Sequence, residues 1–266
     1  MPSEVAAALG ALDITPRQVR ALPSLTPSAR SFRVETADGR SVKVVRASSE
    51  PRATVIERAL TELALPALPR FHGRHGRVLV LDWLEGRAAD ASVAADVAGL
   101  LATIHAGSPE GLATEPRLVP AAVAARALDE LDALAVAGLV DRPSSSRLSR
   151  LVADPPGEGR PVFLHSDMHP DNLIVDPSGL RIIDNGSWSI GSAAYDLART
   201  LWRWPMAQAA RPAWLARYGA ALGRAPERDV LGFWLAAAAI GSTAYRVAAG
   251  APLPPQTRER LVALAP

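Results

Sequence analysis

The segment from Val162 to Gly186 constrains the fold more than any other part of the chain. An apolar run, Val162-Phe163-Leu164, leads into the polar sequence HSDMHPDN at 165–172. Two short apolar runs follow, separated by Asp176-Pro177-Ser178-Gly179. This pattern predicts a strand, a polar loop and a β-hairpin. A polar loop held between two regular elements is typical of a functional site.

Three oxygen-bearing side chains stand out in this segment. Asp167 and Asn172 have the spacing of an H-x-D-x-x-x-x-N catalytic loop, and Asp184 opens a D-x-G turn. Asp184 and Asn172 offer the hard oxygen ligands that Mg²⁺ prefers, while Asp167 can accept the proton of an attacking hydroxyl. We therefore expect the three side chains to converge at a phosphoryl-transfer site, with His165 holding the loop in shape.

The rest of the chain divides into a β-rich part and a helical part. Residues 31–46 alternate in polarity around a turn and predict a hairpin, and residues 71–84 predict two further strands. Residues 51–64 predict an amphipathic helix with Ser48 or Ser49 as cap. Beyond these, Ala- and Leu-rich segments predict helices. We expect an α+β fold with a small antiparallel-sheet lobe at 1–84 and a larger, mainly helical lobe at 85–266.

Composition excludes several classes of protein. The chain of 266 residues is 48% hydrophobic and 21% charged, as expected for a folded globular protein. It has no cysteine, which rules out disulfides and thiolate chemistry, and its net charge of +2 gives no reason to expect nucleic acid. A Walker A sequence and a G-x-S-x-G sequence are both absent.

Location is predicted from two further features. The N-terminal residues lack the pattern of a secretory signal, so we expect a cytoplasmic protein. The apolar stretch 230–245 is short for a bilayer and predicts a buried core helix, so no membrane partner is expected. The oligomeric state is not predicted.

Three ordered elements give the chain a resemblance to the aminoglycoside phosphotransferase family. HSDMHPDN at 165–172, IIDNG at 182–186 and YDLA at 195–198 are similar to the family's H-x-D-x-H-x-x-N, I-D-x-x and D-L-A elements. The resemblance implies a bilobal protein-kinase-like fold, ATP and Mg²⁺ as cofactors, and transfer of the γ-phosphoryl group to a hydroxyl of a small molecule, either an antibiotic or a metabolite. Asp167 would be the catalytic residue, and Asn172 and Asp184 the metal ligands.

The resemblance also implies a nucleotide-binding lysine on the third strand of the small lobe. Lys43, the single lysine of the chain, fills that position. Its partner would be a glutamate of the following helix. Periodicity does not choose between Glu57 and Glu62, and the family spacing favours Glu57.

Residues 79–86 resemble the family's hinge, in which Asp82, Trp83 and Leu84 would meet the adenine edge. His105 and Asp196 resemble structural residues of the family, with a helix N-cap as the alternative role for Asp196.

The chain departs from the family in two places. Residues 22–31 have no glycine and offer Ser24, Thr26, Ser28 and Ser31 instead, and Asn185 replaces an aromatic residue. The glycine-free loop motivates a second hypothesis, a catalytically inactive regulator that binds a nucleotide or a partner.

Charge gives an indication of the acceptor. Residues 197–266 contain nine arginines and three acidic residues, which would serve a polycationic acceptor poorly. Acidic side chains at 129, 130, 132 and 141 could line an acceptor site or form a solvated helix face. We therefore expect a neutral, zwitterionic or anionic alcohol at least as readily as an aminoglycoside. A protein-kinase acceptor is disfavoured because no A-P-E element follows Asp184.

Overall fold

A computed structural model describes residues 1–23, 31–226 and 228–264. Its strands are β1 (Pro16–Ala21), β2 (Ser31–Thr36), β3 (Ser41–Arg46), β4 (Phe71–His75), β5 (Val78–Asp82), β6 (Arg87–Ala88), β7 (Pro161–Leu164), β8 (Leu173–Asp176), β9 (Gly179–Ile182) and β10 (Ser189–Ser192). Its α-helices are α1 (Ser3–Ala11), α2 (Glu50–Glu62), α3 (Ala94–Ala106), α4 (Pro120–Val136), α5 (Arg142–Ala153), α6 (Ala193–Arg203), α7 (Arg211–Leu222), α8 (Arg228–Ala248) and α9 (Thr257–Ala263). The order confirms the predicted α+β class.

The described residues form two compact units. The first contains residues 1–96 and 169–189, and the second contains residues 97–168 and 190–266. The hairpin after the polar loop thus belongs with the N-terminal residues, whereas the predicted lobes were 1–84 and 85–266. That division into two functional lobes stays a prediction.

The first unit is built on a five-stranded antiparallel sheet in the order β1-β2-β3-β5-β4. Alternation explains its packing: Phe32 and Val34 of β2 and Val42 and Val44 of β3 are buried together with apolar residues of α1. The hairpin of β2 and β3 and the strand pair β4–β5 were predicted. Strand β1 and helix α1 were not, although Val5 and Leu9 of α1 have helical spacing.

Two local features of this unit follow from the sequence. Ser49 accepts a hydrogen bond from the Arg52 amide and is the N-cap of α2, as predicted. The predicted hairpin is β8–β9, and Gly179, opposite Asp176, has a φ of +123° that favours glycine. The candidate glycine replacements Ser24, Thr26 and Ser28 lie outside the described residues.

The second unit packs its helices around an apolar core. Side chains of α4, α5, α6, α8 and α9 form the main cluster, and the tryptophans at 202, 204, 214 and 234 are all buried. Of the described helices, α8 is one that could cross a membrane by length and composition, over Asp229–Ala248. Because α8 packs against α4, α5 and α6, a core helix explains it.

Candidate active site

Lys43 lies on β3, the third strand of the sheet. Since Val42 and Val44 face α1, alternation turns Lys43 and Val45 to the opposite face. There the Lys43 ammonium donates a hydrogen bond to the Ile183 carbonyl and lies 3.6 Å from Asp184 Oδ1. Burial lowers the pKa of Lys43, and the Asp184 charge opposes this shift. The structure thus brings the predicted nucleotide lysine to the predicted metal aspartate.

The expected ion pair between Lys43 and Glu57 is not formed among the described residues. Glu57 Oε2 lies 3.0 Å from Arg74 Nε of β4, and Glu62 pairs with Arg58 on its own helix. Arg74 reaches Glu57 because α2 packs against β4. In the structure, the acidic partner of Lys43 is therefore Asp184 and not a glutamate.

A pocket with about 420 Å³ of empty volume adjoins Lys43. It is lined by Leu22, Lys43, Pro69, Asp82, Trp83, Leu84, Ile182 and Ile183. The three predicted hinge residues therefore line the same pocket as the lysine. Their side chains have fixed neighbours, since Asp82 Oδ1 is 2.7 Å from His72 Nε2 and the Arg33 guanidinium carbon is 4.7 Å from the centre of the Trp83 ring.

The turn that carries Asp184 is held by buried hydrogen bonds. Asp184 Oδ1 accepts from the Gly186 amide at 3.3 Å. Asn185 is fully buried; its amide donates to the Ile182 carbonyl, and its oxygen accepts from Trp188 Nε1 at 3.0 Å. Asn185, which replaces an aromatic residue of the family, is thus held by hydrogen bonds to Trp188 and the backbone. No motif in the sequence marks Trp188.

Asn172 is fixed close to this turn by its main chain. A short 3₁₀ turn at Pro170–Asn172 ends with the Asn172 amide donating to the His169 carbonyl at 3.0 Å. The Ile183 amide in turn donates to the Asn172 carbonyl at 3.0 Å. The residue before Asp184 is therefore hydrogen-bonded to Asn172, so the two predicted metal ligands belong to one local structure.

The residues present fit a magnesium ion better than a metal with a full protein cage. Within the described ranges, no group of three or more His, Asp and Glu side chains could hold a metal ion. Mg²⁺ needs few protein ligands because it retains water and takes phosphate oxygens. An amide oxygen at Asn172 and a carboxylate at Asp184, whose side chain is 40% exposed, meet that need.

The loop around Asp167, in the second unit, is held by the buried carboxylate of Asp196. One oxygen accepts from the His165 amide at 2.8 Å and the other from the Ser166 amide at 3.0 Å. Ser166 has a φ of +64°, an unusual conformation for a residue other than glycine. Asp196 is thus the support of the loop, while Ser192 is the N-cap of α6.

Asp196 also has a buried histidine partner. His105 Nε2 lies 3.3 Å from its carboxylate, and His105 Nδ1 lies 2.9 Å from the Tyr218 hydroxyl. Burial alone would raise the pKa of Asp196, but the interactions with His105 and His165 outweigh it and hold that pKa below its ordinary value. The predicted structural role of His105 follows from these contacts.

The Asp167 carboxylate itself is paired with two arginines of α6. Arg199 Nη2 lies 3.0 Å from Asp167 Oδ1, and Arg203 Nη1 contacts the same oxygen. Both arginines belong to the arginine-rich part of the sequence at 197–266, where neither had a predicted role. The available signal was their spacing of four residues, directly after the D-L-A element, which places them on one helix face.

The acidic side chains proposed for an acceptor site have ordinary structural roles, with one exception. Asp129 and Asp132 are exposed, and Asp141 is the N-cap of α5. Glu130 is partly buried, and burial raises its pKa.

The three predicted catalytic residues are divided between the two units. Asp167 belongs to one unit, and Asn172 and Asp184 belong to the other. Their convergence stays a prediction.

Comparison with solved structures shows the same fold in several phosphotransferases. The macrolide 2'-phosphotransferase MphH from Brachybacterium faecium is 19% identical, with 97% of this chain and 95% of that chain covered at a TM-score of 0.61. The choline kinase LicA from Streptococcus pneumoniae is 16% identical, with 97% and 95% covered at 0.65. Spectinomycin phosphotransferase APH(9)-Ia is 12% identical, with 97% and 93% covered at 0.61. The predicted kinase-like α+β fold is therefore confirmed.

Sequence comparison gives the family directly. A search of curated proteins returned no match. The family model described as "Phosphotransferase enzyme family" (APH) matches residues 19–234, which include Lys43, the polar loop, the Asp184 turn and the D-L-A element. This match confirms the resemblance drawn from the three motifs, and the chain belongs to the APH phosphotransferase family.

Proposed function

We propose that this protein transfers the γ-phosphoryl group of ATP to a hydroxyl of a small molecule. The observation that carries the proposal is the buried Lys43 beside Asp184, at the edge of the pocket lined by Asp82, Trp83 and Leu84. A cytoplasmic location, where ATP is available, is part of the proposal. An antibiotic is one class of acceptor, in which case the activity would confer resistance.

The pocket supports the nucleotide assignment. Its apolar lining and backbone suit a purine base, and a compact ammonium at its edge suits phosphate oxygens. Glu57 stays a predicted partner of Lys43, and in the structure its Oε2 lies 3.0 Å from Arg74 Nε. Spectinomycin phosphotransferase, which has the same fold, was solved with ADP and spectinomycin.

Asp167 is proposed as the group that orients the acceptor hydroxyl and takes its proton. The acceptor oxygen forms a bond to the γ-phosphorus as the bond to the bridging oxygen of ADP breaks, and the proton passes through Asp167 to solvent. Asn172 and Asp184 are proposed to hold Mg²⁺, which neutralises charge on the phosphates when bound. Asp196 keeps the Asp167 loop in its strained conformation.

An acceptor panel with labelled ATP tests this function. Antibiotics, amino alcohols, sugars and hydroxy acids are incubated with the wild type, with Asp167→Asn and with Asp154→Asn. Asp154 is exposed at the end of α5, so the last variant is a matched control. We expect turnover in the wild type and the control, and a loss of about 10³-fold or more in Asp167→Asn. Equal turnover in all three would refute the role of Asp167.

The single lysine allows a separate test of nucleotide binding. An amine-acylating reagent modifies only Lys43 and the N-terminal amine of this chain, so one labelled internal peptide reports the site. We expect ATP to protect Lys43 and leave labelling of the N-terminus unchanged. Unchanged labelling of Lys43 at saturating ATP would contradict the pocket assignment.

The alternative is a regulator that binds nucleotide without turnover, which the glycine-free sequence at 22–31 favours. The two experiments separate these functions. Protection of Lys43 by ATP, with no transfer to any acceptor and unchanged nucleotide affinity in Asp167→Asn, is the result expected of the regulator.

A further inference from the structure

Two arginines contact the carboxylate of Asp167. Arg199 and Arg203, one turn apart on α6, both contact the same oxygen of Asp167. The three side chains are each only about one-fifth exposed, at 20–22%. Water therefore screens this charge incompletely.

A third arginine adds positive charge. Arg246 lies on α8, which packs against α6, and its charge acts on Arg203. Burial is the main reason that the pKa of Arg203 is lowered to about 10, and repulsion from Arg246 contributes. Arginines that lie close together favour a bound anion.

Two neighbouring arginines show what a purely structural role looks like in this unit. Arg211 donates to the Leu201 carbonyl and Arg260 to the Trp202 carbonyl, so both satisfy the last turn of α6. Arg260 also stacks on the Trp202 ring. By contrast, Arg199 and Arg203 contact the carboxylate of Asp167. Both arginines therefore lie at the residue proposed to meet the acceptor.

We propose that the acceptor alcohol carries an oxyanion, a carboxylate or a phosphate, that binds to Arg199 and Arg203 while its hydroxyl meets Asp167, and that the charge of Arg246 strengthens this binding. The proposal rests on the proposed phosphotransferase function and specifies its substrate class. Guanidinium groups suit both anions because they donate paired hydrogen bonds. Since Arg199 contacts Asp167 directly, the oxyanion and the reacting hydroxyl would be about 4–6 Å apart, allowing about 2.8 Å for each hydrogen bond. The acceptor is therefore a compact hydroxy acid or hydroxyalkyl phosphate, and a polycation is excluded.

A different role for Arg199 and Arg203 would be to position Asp167 alone. Arg246 separates the two roles, because it donates a hydrogen bond to the Pro252 carbonyl and its charge acts on Arg203. Loss of Arg246 should weaken anion binding and leave Asp167 in place. A positioning role predicts instead that kcat falls for every acceptor and that anionic acceptors are not preferred.

The test uses acceptors that share a three-carbon hydroxylated skeleton and differ in charge. Binding of glycerate and glycerol 3-phosphate is compared with that of glycerol and glyceramide by calorimetry without nucleotide, for the wild type, Arg246→Gln and the exposed control Arg224→Gln. We expect the two anions to bind at least 10-fold more tightly than the neutral compounds. Arg246→Gln should weaken anion binding about 3- to 10-fold, while the control remains unchanged. Comparison of glycerate with glycerol 3-phosphate shows whether a carboxylate or a phosphate binds more tightly.

The same compounds are then tested for turnover with ATP. An increase in KM for the anionic acceptors in Arg246→Gln, with kcat unchanged, supports the subsite. Binding of the neutral compounds in preference to both anions overturns it, even if those compounds are phosphorylated, in which case the phosphotransferase function still stands. Anion binding that depends on Arg246, with no phosphorylation of any acceptor, supports the subsite and refutes the function.

Discussion

Asp196→Asn tests whether one buried carboxylate fixes the loop that carries Asp167. The asparagine oxygen can keep the hydrogen bonds from His165 and His105, but its NH₂ group then faces the Ser166 amide, donor against donor. A charge-assisted hydrogen bond contributes about 1.5–3 kcal/mol, and a buried donor without an acceptor costs about 1–3 kcal/mol. Relaxation of Ser166 from its φ of +64° recovers part of this cost.

We therefore expect Asp196→Asn to lower the free energy of unfolding by about 2–4 kcal/mol, which corresponds to a Tm lower by roughly 5–15 °C. The measurement is urea and thermal unfolding followed by the fluorescence of the six tryptophans. Asp154→Asn, the same change at an exposed position, should leave both values within experimental error. Turnover should fall as well, because the loop that holds Asp167 is released.

The lowered pKa of Asp196 also predicts how the stability difference between the wild type and Asp196→Asn depends on pH. The pKa of Asp196 in the folded protein is held below its ordinary value of 3.8. Its contribution to stability is therefore fully present above that value and is lost as the pH falls through the lower, folded pKa. The stability difference between wild type and Asp196→Asn should be constant near neutral pH and shrink below pH 3.8. A variant that unfolds like the wild type at pH 7, with unchanged turnover, would refute the reasoning.

Three further predictions follow from other contacts. Gly86→Ala should lower the free energy of unfolding by about 1–3 kcal/mol, because a Cβ there would lie 2.7 Å from the Val175 carbonyl oxygen. Gly99→Ala is the control, because a Cβ at Gly99 would meet no atom within 4 Å, and it should not lower stability. Equal urea midpoints for the two variants would contradict the prediction. Trp188→Phe removes the donor to buried Asn185 and should cost about 1–3 kcal/mol by the same measurement, whereas no change would show that this hydrogen bond is dispensable. Lys43→Met should reduce kcat/KM for ATP about 10²- to 10³-fold in steady-state assays, with Arg224→Gln as control, and turnover equal to wild type would exclude a phosphate contact.

Local patterns in the sequence were sufficient for many of the regular elements and for the family. Alternating polarity gave the β2–β3 hairpin, Ser49 gave the start of α2, and Asp176 to Gly179 gave the β8–β9 turn. Each depends on residues close in sequence, so neighbouring side chains carry the information. The three motifs indicated the APH family because their order and spacing are specific.

The sequence did not predict which charged residues form ion pairs with one another. The sequence offered Glu57 and Glu62 to Lys43, yet Arg74 takes Glu57 and Lys43 pairs with Asp184. Asp196 could have been a helix cap, but the cap is Ser192. An ion pair depends on which side chains meet in space, and many arrangements share the same composition.

What the sequence by itself determined is the set of chemical groups: a single lysine, the loop and turn with Asp167, Asn172 and Asp184, and an excess of arginine near the C-terminus. Only the tertiary structure decided which of those arginines reach Asp167. Arg199 and Arg203 contact it, while Arg211 and Arg260 satisfy carbonyls of α6. The physical reason is that charge and spacing are local properties, whereas the field at a carboxylate depends on every charged group that folding brings within a few ångströms of it.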